Sequence, residues 1–199
     1  MQIVQYPHPA LRWKSSPITN ITSELRGIVR EMFELMYASE GIGLAANQVA
    51  LPYRLFVLNL TGKREEADQE HVFINPEIIR SKGTQEAEEG CLSLPKLYGQ
   101  VRRADEIVVE AFDLEGNGFE LTIDDLGSRA IQHETEHLEG KLFVDRLSEA
   151  ARREVAPTLA DFEGQYRRQQ ELGIYPTDDE IRADLERLAR TQQVPAAVR

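Results

Sequence analysis

Two histidines four residues apart, His133 and His137, enclose Glu134 in the segment 133–137, which reads HETEH. Hydrophobic periodicity predicts a helix over 124–139, and residues four apart lie on the same face of a helix. Both imidazoles can therefore reach one divalent cation, while the carboxylate between them remains available to transfer protons. The segment predicts a metal site on a central helix.

The rest of the chain alternates helical and extended patterns. Apolar residues at helical spacing predict a first helix over 24–39, and the hydrophobic patterns after residue 147 predict two more helices. Extended patterns predict strands over 54–60, 72–74, 107–112 and 119–123, the last two as a hairpin. The predicted fold class is α+β, with short antiparallel strands packed around the central helix and additional N- and C-terminal helices.

Local signals set the expected ends of these elements. Pro76 is expected to close the strand at 72–74, and Pro157 to break or kink the helix that follows residue 147, near Ala156. Thr122 and Asp125 are spaced as a capping box for the central helix, and the segment 177–180 (TDDE) predicts a cap for the last helix.

Composition and charge limit the classes of function. The 199 residues are 41% hydrophobic, which suits a globular chain, and no apolar run has the roughly 18 residues that a membrane span needs. The net charge is −11, and residues 1–150 carry 15 Lys and Arg against 25 Asp and Glu. Such a surface repels nucleic acids and anionic membranes. The start of the chain has no secretory pattern, so we expect a cytoplasmic protein.

A catalytic metal site usually has three protein ligands, so the two histidines need a third. Phe143 occupies the position at which the longer HExxHxxGxxH pattern has a histidine. Glu154 or Glu163 could supply a carboxylate, although no motif supports either. Cys91 is the better candidate, because a thiolate binds zinc or iron(II) more strongly than a carboxylate and the chain has no other cysteine.

Three segments together resemble a known family. The segments 41–48 (GIGLAANQ), 89–93 (EGCLS) and 133–137 (HETEH) are similar, in order and spacing, to the three signature segments of peptide deformylases. The resemblance covers roughly residues 1–150. We therefore expect a catalytic domain over 1–150 and, over 151–199, a helical extension packed on that domain or on a partner copy.

The resemblance implies the chemistry. Members of this family hydrolyse the N-formyl group of formylmethionyl nascent peptides and release formate. Cys91, His133 and His137 would hold the metal, which would be iron(II) in the cell and replaceable by zinc, nickel or cobalt. Glu134 would transfer the proton, and the oxyanion donors would be the Gln48 amide and the Leu92 backbone N–H.

The resemblance also implies a mode of substrate binding, in which the peptide lies along a sheet edge and the methionine side chain enters an apolar pocket. Gly43 would contact the peptide backbone. The other expected substrate-binding positions are Ile42, Ala87, Arg129 and Ala130. In some relatives a basic C-terminal helix docks on the ribosome, but residues 151–199 carry 8 Lys and Arg against 9 Asp and Glu, so any ribosome association is expected to be transient.

The main departure from the family pattern lies in the HETEH segment. Glu136 stands where the family has an aspartate, which is expected to pair with an arginine that Arg103 matches. Two alternatives stay open on the sequence: a catalytically silent relative that binds only metal or formyl-peptides, and a zinc endopeptidase. Formate release from formyl-Met-Ala-Ser would exclude the first, and cleavage of unformylated casein would support the second.

Overall fold

A computed structural model describes residues 1–192. Over these residues the fold is α+β, with a five-stranded antiparallel sheet in the order β1-β2-β3-β6-β7 and a separate pair, β4-β5. The strands are β1 (Gly43–Ala45), β2 (Leu55–Leu58), β3 (His71–Lys82), β4 (Gln85–Cys91), β5 (Leu94–Arg103), β6 (Glu106–Phe112) and β7 (Gly118–Ile123). The helices are α1 (Ser23–Ala38), α2 (Asp125–Leu138), α3 (Glu149–Glu171) and α4 (Asp178–Thr191). Short 3-10 turns cover Pro9–Arg12, Ala46–Val49, Arg64–Gln69 and Phe143–Arg146.

The larger sheet is covered by a helix on each face. Successive residues of a strand point to opposite faces, and every residue of β2 is buried. Leu55 and Val57 belong to the cluster that contains the apolar side of α1, whereas Phe56 and Leu58 belong to the cluster that contains Ile131 and other residues of α2. The predicted central helix is confirmed as α2, and it packs against one face of the larger sheet.

One prediction about the strands was wrong, and one hairpin was missed. Strand β3 does not end at Pro76 but continues to Lys82, because the pairing register shifts between Ile74 and Glu77 and the strand then pairs with β6. A proline is tolerated at such an irregularity. The hairpin β4-β5 was not predicted, since β4 is rich in glutamate and its apolar signal is weak.

The predicted cap at Thr122 and the predicted break at Pro157 were also wrong. Thr122 does not cap α2, because it lies in β7 opposite Val108, and the N-cap is Asp124. Helix α3 runs unbroken through Pro157. Pro157 and Arg153 are both exposed, so water can satisfy the carbonyl that loses its helical hydrogen bond.

The C-terminal helices pack against the N-terminal part of the chain. Tyr166 of α3 and Ile181 and Leu185 of α4 form a cluster with Ala10. The predicted cap of α4 is confirmed, since Thr177 and Glu180 form a capping box. Among the described helices, none combines the length and the apolar character that crossing a membrane requires.

We expect the stability of the fold to depend on pH through His8, which lies where the N-terminal part of the chain meets the C-terminal helices. Burial lowers the pKa of His8 to about 4, against about 6.5 in an unfolded chain. The unfolded chain therefore binds this proton first, and the free energy of unfolding should fall as the pH drops from about 6.5 to about 4. His8→Asn keeps an acceptor for the Ala10 N–H that His8 Nδ1 accepts, but it does not titrate.

The free energy of unfolding, measured with urea across that pH range, should fall less steeply with decreasing pH for His8→Asn than for the unsubstituted protein. A matched control is His71→Asn, at an exposed position at the start of β3. Equal slopes for the His8 variant and the unsubstituted protein would contradict the assignment.

Candidate metal centre

Helix α2 presents both histidines on the side that faces β4. The ring centroids of His133 and His137 are 4.9 Å apart and the rings are inclined at 75°. His137 is 1% exposed. Burial lowers the pKa of His137 well below its ordinary value, which keeps the ring in the neutral form that a metal requires.

Cys91 is brought to the histidines by the hairpin β4-β5. It is the last residue of β4, beside the turn that leads into β5. Its Sγ lies 3.3 Å from His137 Nε2, and the donor atoms of Cys91, His133 and His137 all lie within 4.8 Å of one another. One thiolate and two imidazoles suit zinc or iron(II), and a site with three protein ligands leaves one tetrahedral position open. The residues present therefore fit a catalytic divalent metal.

A buried ion-pair network surrounds His133. Glu89 Oε2 lies 3.2 Å from His133 Nδ1, so the other ring nitrogen is left to face a metal. Arg103 donates to both oxygens of Glu89, at 2.6 and 2.8 Å, and to Glu136 at 2.9 Å. Burial favours the neutral carboxyl, but the contacts with His133 and Arg103 outweigh it and lower the pKa of Glu89 to about 2. The predicted pairing of Arg103 with Glu136 is confirmed.

Glu134 lies in the same site and is 5% exposed. Burial raises its pKa to about 7, although His133 and Arg103 nearby act in the opposite direction. Gly43 makes room for it, since a Cβ at that position would lie 2.7 Å from Glu134 Oε1. Among the described residues, Glu134 Oε2 has no hydrogen-bond partner. A carboxyl group in this state can both accept and return a proton near neutral pH.

Gln48 is held with its amide nitrogen towards Cys91. Its Oε1 accepts the Ala45 N–H at 2.9 Å, which determines which end of the amide is the oxygen. The Nε2 then lies 3.4 Å from Cys91 Sγ and 3.3 Å from Ser93 Oγ. The amide nitrogen of Gln48 is therefore held beside Cys91 Sγ, where it also contacts the buried Ser93 hydroxyl.

A pocket of about 700 Å³ opens over these groups. Its lining includes every position expected to act in catalysis or to bind substrate, namely Ile42, Gly43, Gln48, Ala87, Leu92, Arg129, Ala130 and Glu134, together with Cys91 and His133. The guanidinium of Arg129 is already occupied, because it donates to Glu89 at 2.6 Å and to the Val101 carbonyl at 2.8 Å.

The comparisons with known proteins agree with this geometry. A family model described as polypeptide deformylase matches residues 1–153. The peptide deformylase of Rhodopirellula baltica is 45% identical over 173 residues, covering 87% of this chain and 86% of the relative. The chain belongs to the peptide deformylase family. The peptide deformylase of Acidobacterium capsulatum is 49% identical over 146 residues, covering 73% of this chain and 85% of the relative.

Solved deformylase structures share the fold. A Plasmodium falciparum peptide deformylase aligns with a TM-score of 0.81 at 36% identity, covering 83% of this chain and 97% of that one. The chain is thus a metal-dependent deformylase that acts on formylated nascent peptides. This outcome favours the deformylase over the silent binder and the endopeptidase that the sequence left open.

Several further residues contribute to the site. The ring of Phe143 lies against His133, with centroids 6.5 Å apart and planes inclined at 21°. Tyr98 and Leu126 line the pocket and are largely exposed. Asn47 is buried and bonds to Ser15 and to two backbone carbonyls, which anchors the turn that carries Gln48. Asn47 belongs to the segment 41–48, beside Gln48, whereas Leu126 lies in no motif.

Proposed function

We propose that Glu134 moves the proton in this deformylase, in a site where Cys91, His133 and His137 hold an iron(II) ion. The observation that carries the proposal is the convergence of one sulfur and two imidazole donors within 4.8 Å, with the buried carboxyl of Glu134 lining the same pocket. When bound, a divalent cation supplies Lewis acidity, which lowers the pKa of water and polarises a carbonyl.

Glu134 then has two tasks in formamide hydrolysis. It accepts a proton from the water that attacks the formyl carbon, and it donates that proton to the nitrogen as the C–N bond breaks. The products are formate and a peptide with a free amino group. Burial raises the pKa of this carboxyl above its ordinary value, which suits a group that first accepts a proton and then returns it.

Gln48 and Leu92 would stabilise the oxyanion that forms on the substrate. Gln48 Nε2 lies beside Cys91 Sγ because Oε1 is held by the Ala45 N–H. Leu92 follows Cys91 directly and lines the pocket, and its backbone N–H would be the second donor. Donors held in place before the reaction stabilise developing charge without reorganisation.

We predict that Gln48→Leu lowers kcat by about 10²–10³-fold, because loss of one oxyanion donor costs about 2.7–4 kcal/mol. KM should change much less, since the interaction strengthens in the transition state. Steady-state formate release from formyl-Met-Ala-Ser measures both constants, and metal analysis should show that the variant retains its metal. An unchanged kcat in a metal-loaded variant would contradict the role.

The substrate would lie between the segment 41–43 and β4, both of which line the pocket. Strand β1 is an edge strand of the larger sheet, so backbone hydrogen bonds to an extended peptide are possible along it. Ile42, Ala87 and Ala130 supply the apolar surface for the methionine side chain. Gly43 would offer its backbone to the peptide, and Arg129 would support the pocket wall through its bonds to β4 and β5.

The proposed iron is tested by its sensitivity to oxygen. Protein purified without air should contain iron(II) and release formate, and it should lose activity in air because an iron–thiolate site is open to oxidation. Nickel-loaded protein should keep its activity under the same exposure. Metal analysis and activity half-lives in air provide the measurement, and equal air stability of the two forms would count against iron as the native metal.

We infer that the enzyme acts in the cytoplasm and meets the ribosome only transiently. Cys91 is a free thiol, and a metal-binding thiol is kept reduced in that compartment. Residues 151–199 carry 8 Lys and Arg against 9 Asp and Glu, so this part of the sequence has no net positive charge to attract ribosomal RNA.

A further inference from the structure

Glu136 bridges two arginines from different parts of the chain. Its Oε2 accepts from Arg103 Nη1 at 2.9 Å, and its Oε1 accepts from Arg146 Nε at 2.7 Å. Arg146 Nη2 also forms an ion pair with Oε1. The Arg103 side chain is 2% exposed and that of Arg146 is 52% exposed, so the bridge runs from the interior to the surface.

The interior end of this bridge reaches a metal-binding histidine. Arg103 also donates to both oxygens of Glu89, and Glu89 contacts His133 Nδ1 at 3.2 Å. The contacts therefore form a continuous chain from Arg146 through Glu136, Arg103 and Glu89 to His133. Partners of this kind fix the orientation of a ligating ring.

The outer end of the bridge belongs to the turn Phe143–Arg146, which touches His133 by a second route. The Phe143 ring lies against the His133 ring. If Arg146 holds the turn to α2 through Glu136, it also holds Phe143 in place. Both routes converge on the same imidazole.

We propose that Arg146 is a positioning residue for His133, and that it acts through Glu136, whose longer side chain spans the two arginines. The proposal rests on the proposed role of His133 as a metal ligand. It also explains how the chain accommodates a glutamate where the family has an aspartate: the additional methylene brings one carboxylate within reach of both guanidinium groups.

The test measures the rate at which nickel-loaded protein releases its metal to a chelator, together with kcat and KM. Arg146→Met should release nickel about tenfold faster, since loss of a group that supports a ligand typically costs 10–100-fold in affinity or activity. We expect kcat to fall several-fold with KM unchanged. Glu136→Asp should behave like Arg146→Met, because the shorter carboxylate keeps Arg103 and loses Arg146.

The double variant Glu136→Asp, Arg146→Met should be no worse than either single variant, because both remove the same contact. Arg153→Met is the matched control, since Arg153 is exposed and pairs with Glu149 on α3. It should leave nickel release and kcat unchanged.

Unchanged nickel release in Arg146→Met and Glu136→Asp, or additive effects in the double variant, would overturn the proposal. A lower melting temperature with normal nickel release would show a purely structural ion pair and would also overturn it. His133→Ala distinguishes a failure of the proposed ligand set from a failure of the role of Arg146. If His133→Ala releases nickel at the normal rate, the proposed ligand set is wrong. If His133→Ala releases nickel fast and Arg146→Met releases it at the normal rate, only the role of Arg146 is refuted.

Discussion

Replacing Glu134 by glutamine should lower kcat by about 10²–10⁴-fold, the usual contribution of a positioned proton-transfer group. Glutamine has the same shape, so it fits beside Gly43 as the glutamate does, but its amide cannot accept the proton of the attacking water. The Glu134 carboxyl is buried, which raises its pKa to about 7 and suits it to proton transfer. Formate release from formyl-Met-Ala-Ser measures the loss, and KM should change little.

Two controls separate this role from others. Glu134→Gln should keep its full complement of metal, because Glu134 is not among the three residues that converge as donors. Glu88→Gln removes an exposed carboxylate that lines the same pocket, and it should leave kcat nearly unchanged. If Glu134→Gln lost its metal, the carboxylate would be acting as a ligand, and if it kept more than about a tenth of the activity, another group would carry the proton.

The sequence predicts best what depends on local spacing. His133 and His137 share a helix face because they are four residues apart, and that relation holds in any fold that keeps the helix. The predicted helix over 124–139 is observed as Asp125–Leu138, and the helix over 24–39 as Ser23–Ala38. The chemistry of the lone cysteine and the family resemblance both nominate Cys91 as the third ligand, but its position beside the histidines depends on a long-range contact that local spacing does not predict.

The features that the sequence does not predict depend on contacts between segments that are distant along the chain. Strand β4 has three glutamates, and its sequence does not reveal that it is a strand of the site. That becomes clear only from its pairing with β5 and from the contact of Glu89 with Arg103. Arg146 lies outside every motif, and its contact with Glu136 appears only once the turn Phe143–Arg146 packs on α2. Proline rules failed at Pro76 and Pro157 because tertiary pairing and exposure to water compensate for the missing N–H.

Replacing Cys91 by serine should weaken metal binding by about 10²–10³-fold and remove most of the activity. Structural zinc sites bind with about 10–16 kcal/mol shared among four ligands, so one ligand contributes roughly 3 kcal/mol or more. A serine hydroxyl is a poor substitute, since it stays protonated and is a harder, shorter donor than the thiolate. Chelator competition measures the affinity, and cobalt-loaded protein should lose its thiolate charge-transfer absorption in the variant.

Cys91→Asp provides a sharper comparison, because it restores an anionic ligand of a different chemical kind. A carboxylate with two histidines is a known zinc ligand set, so this variant should recover zinc binding more fully than Cys91→Ser while still lacking the charge-transfer band. Both substitutions are conservative in size at a half-buried position, so circular dichroism should show a normal fold. Full metal affinity in Cys91→Ser would mean that the sulfur 3.3 Å from His137 is a neighbour of the site and no ligand.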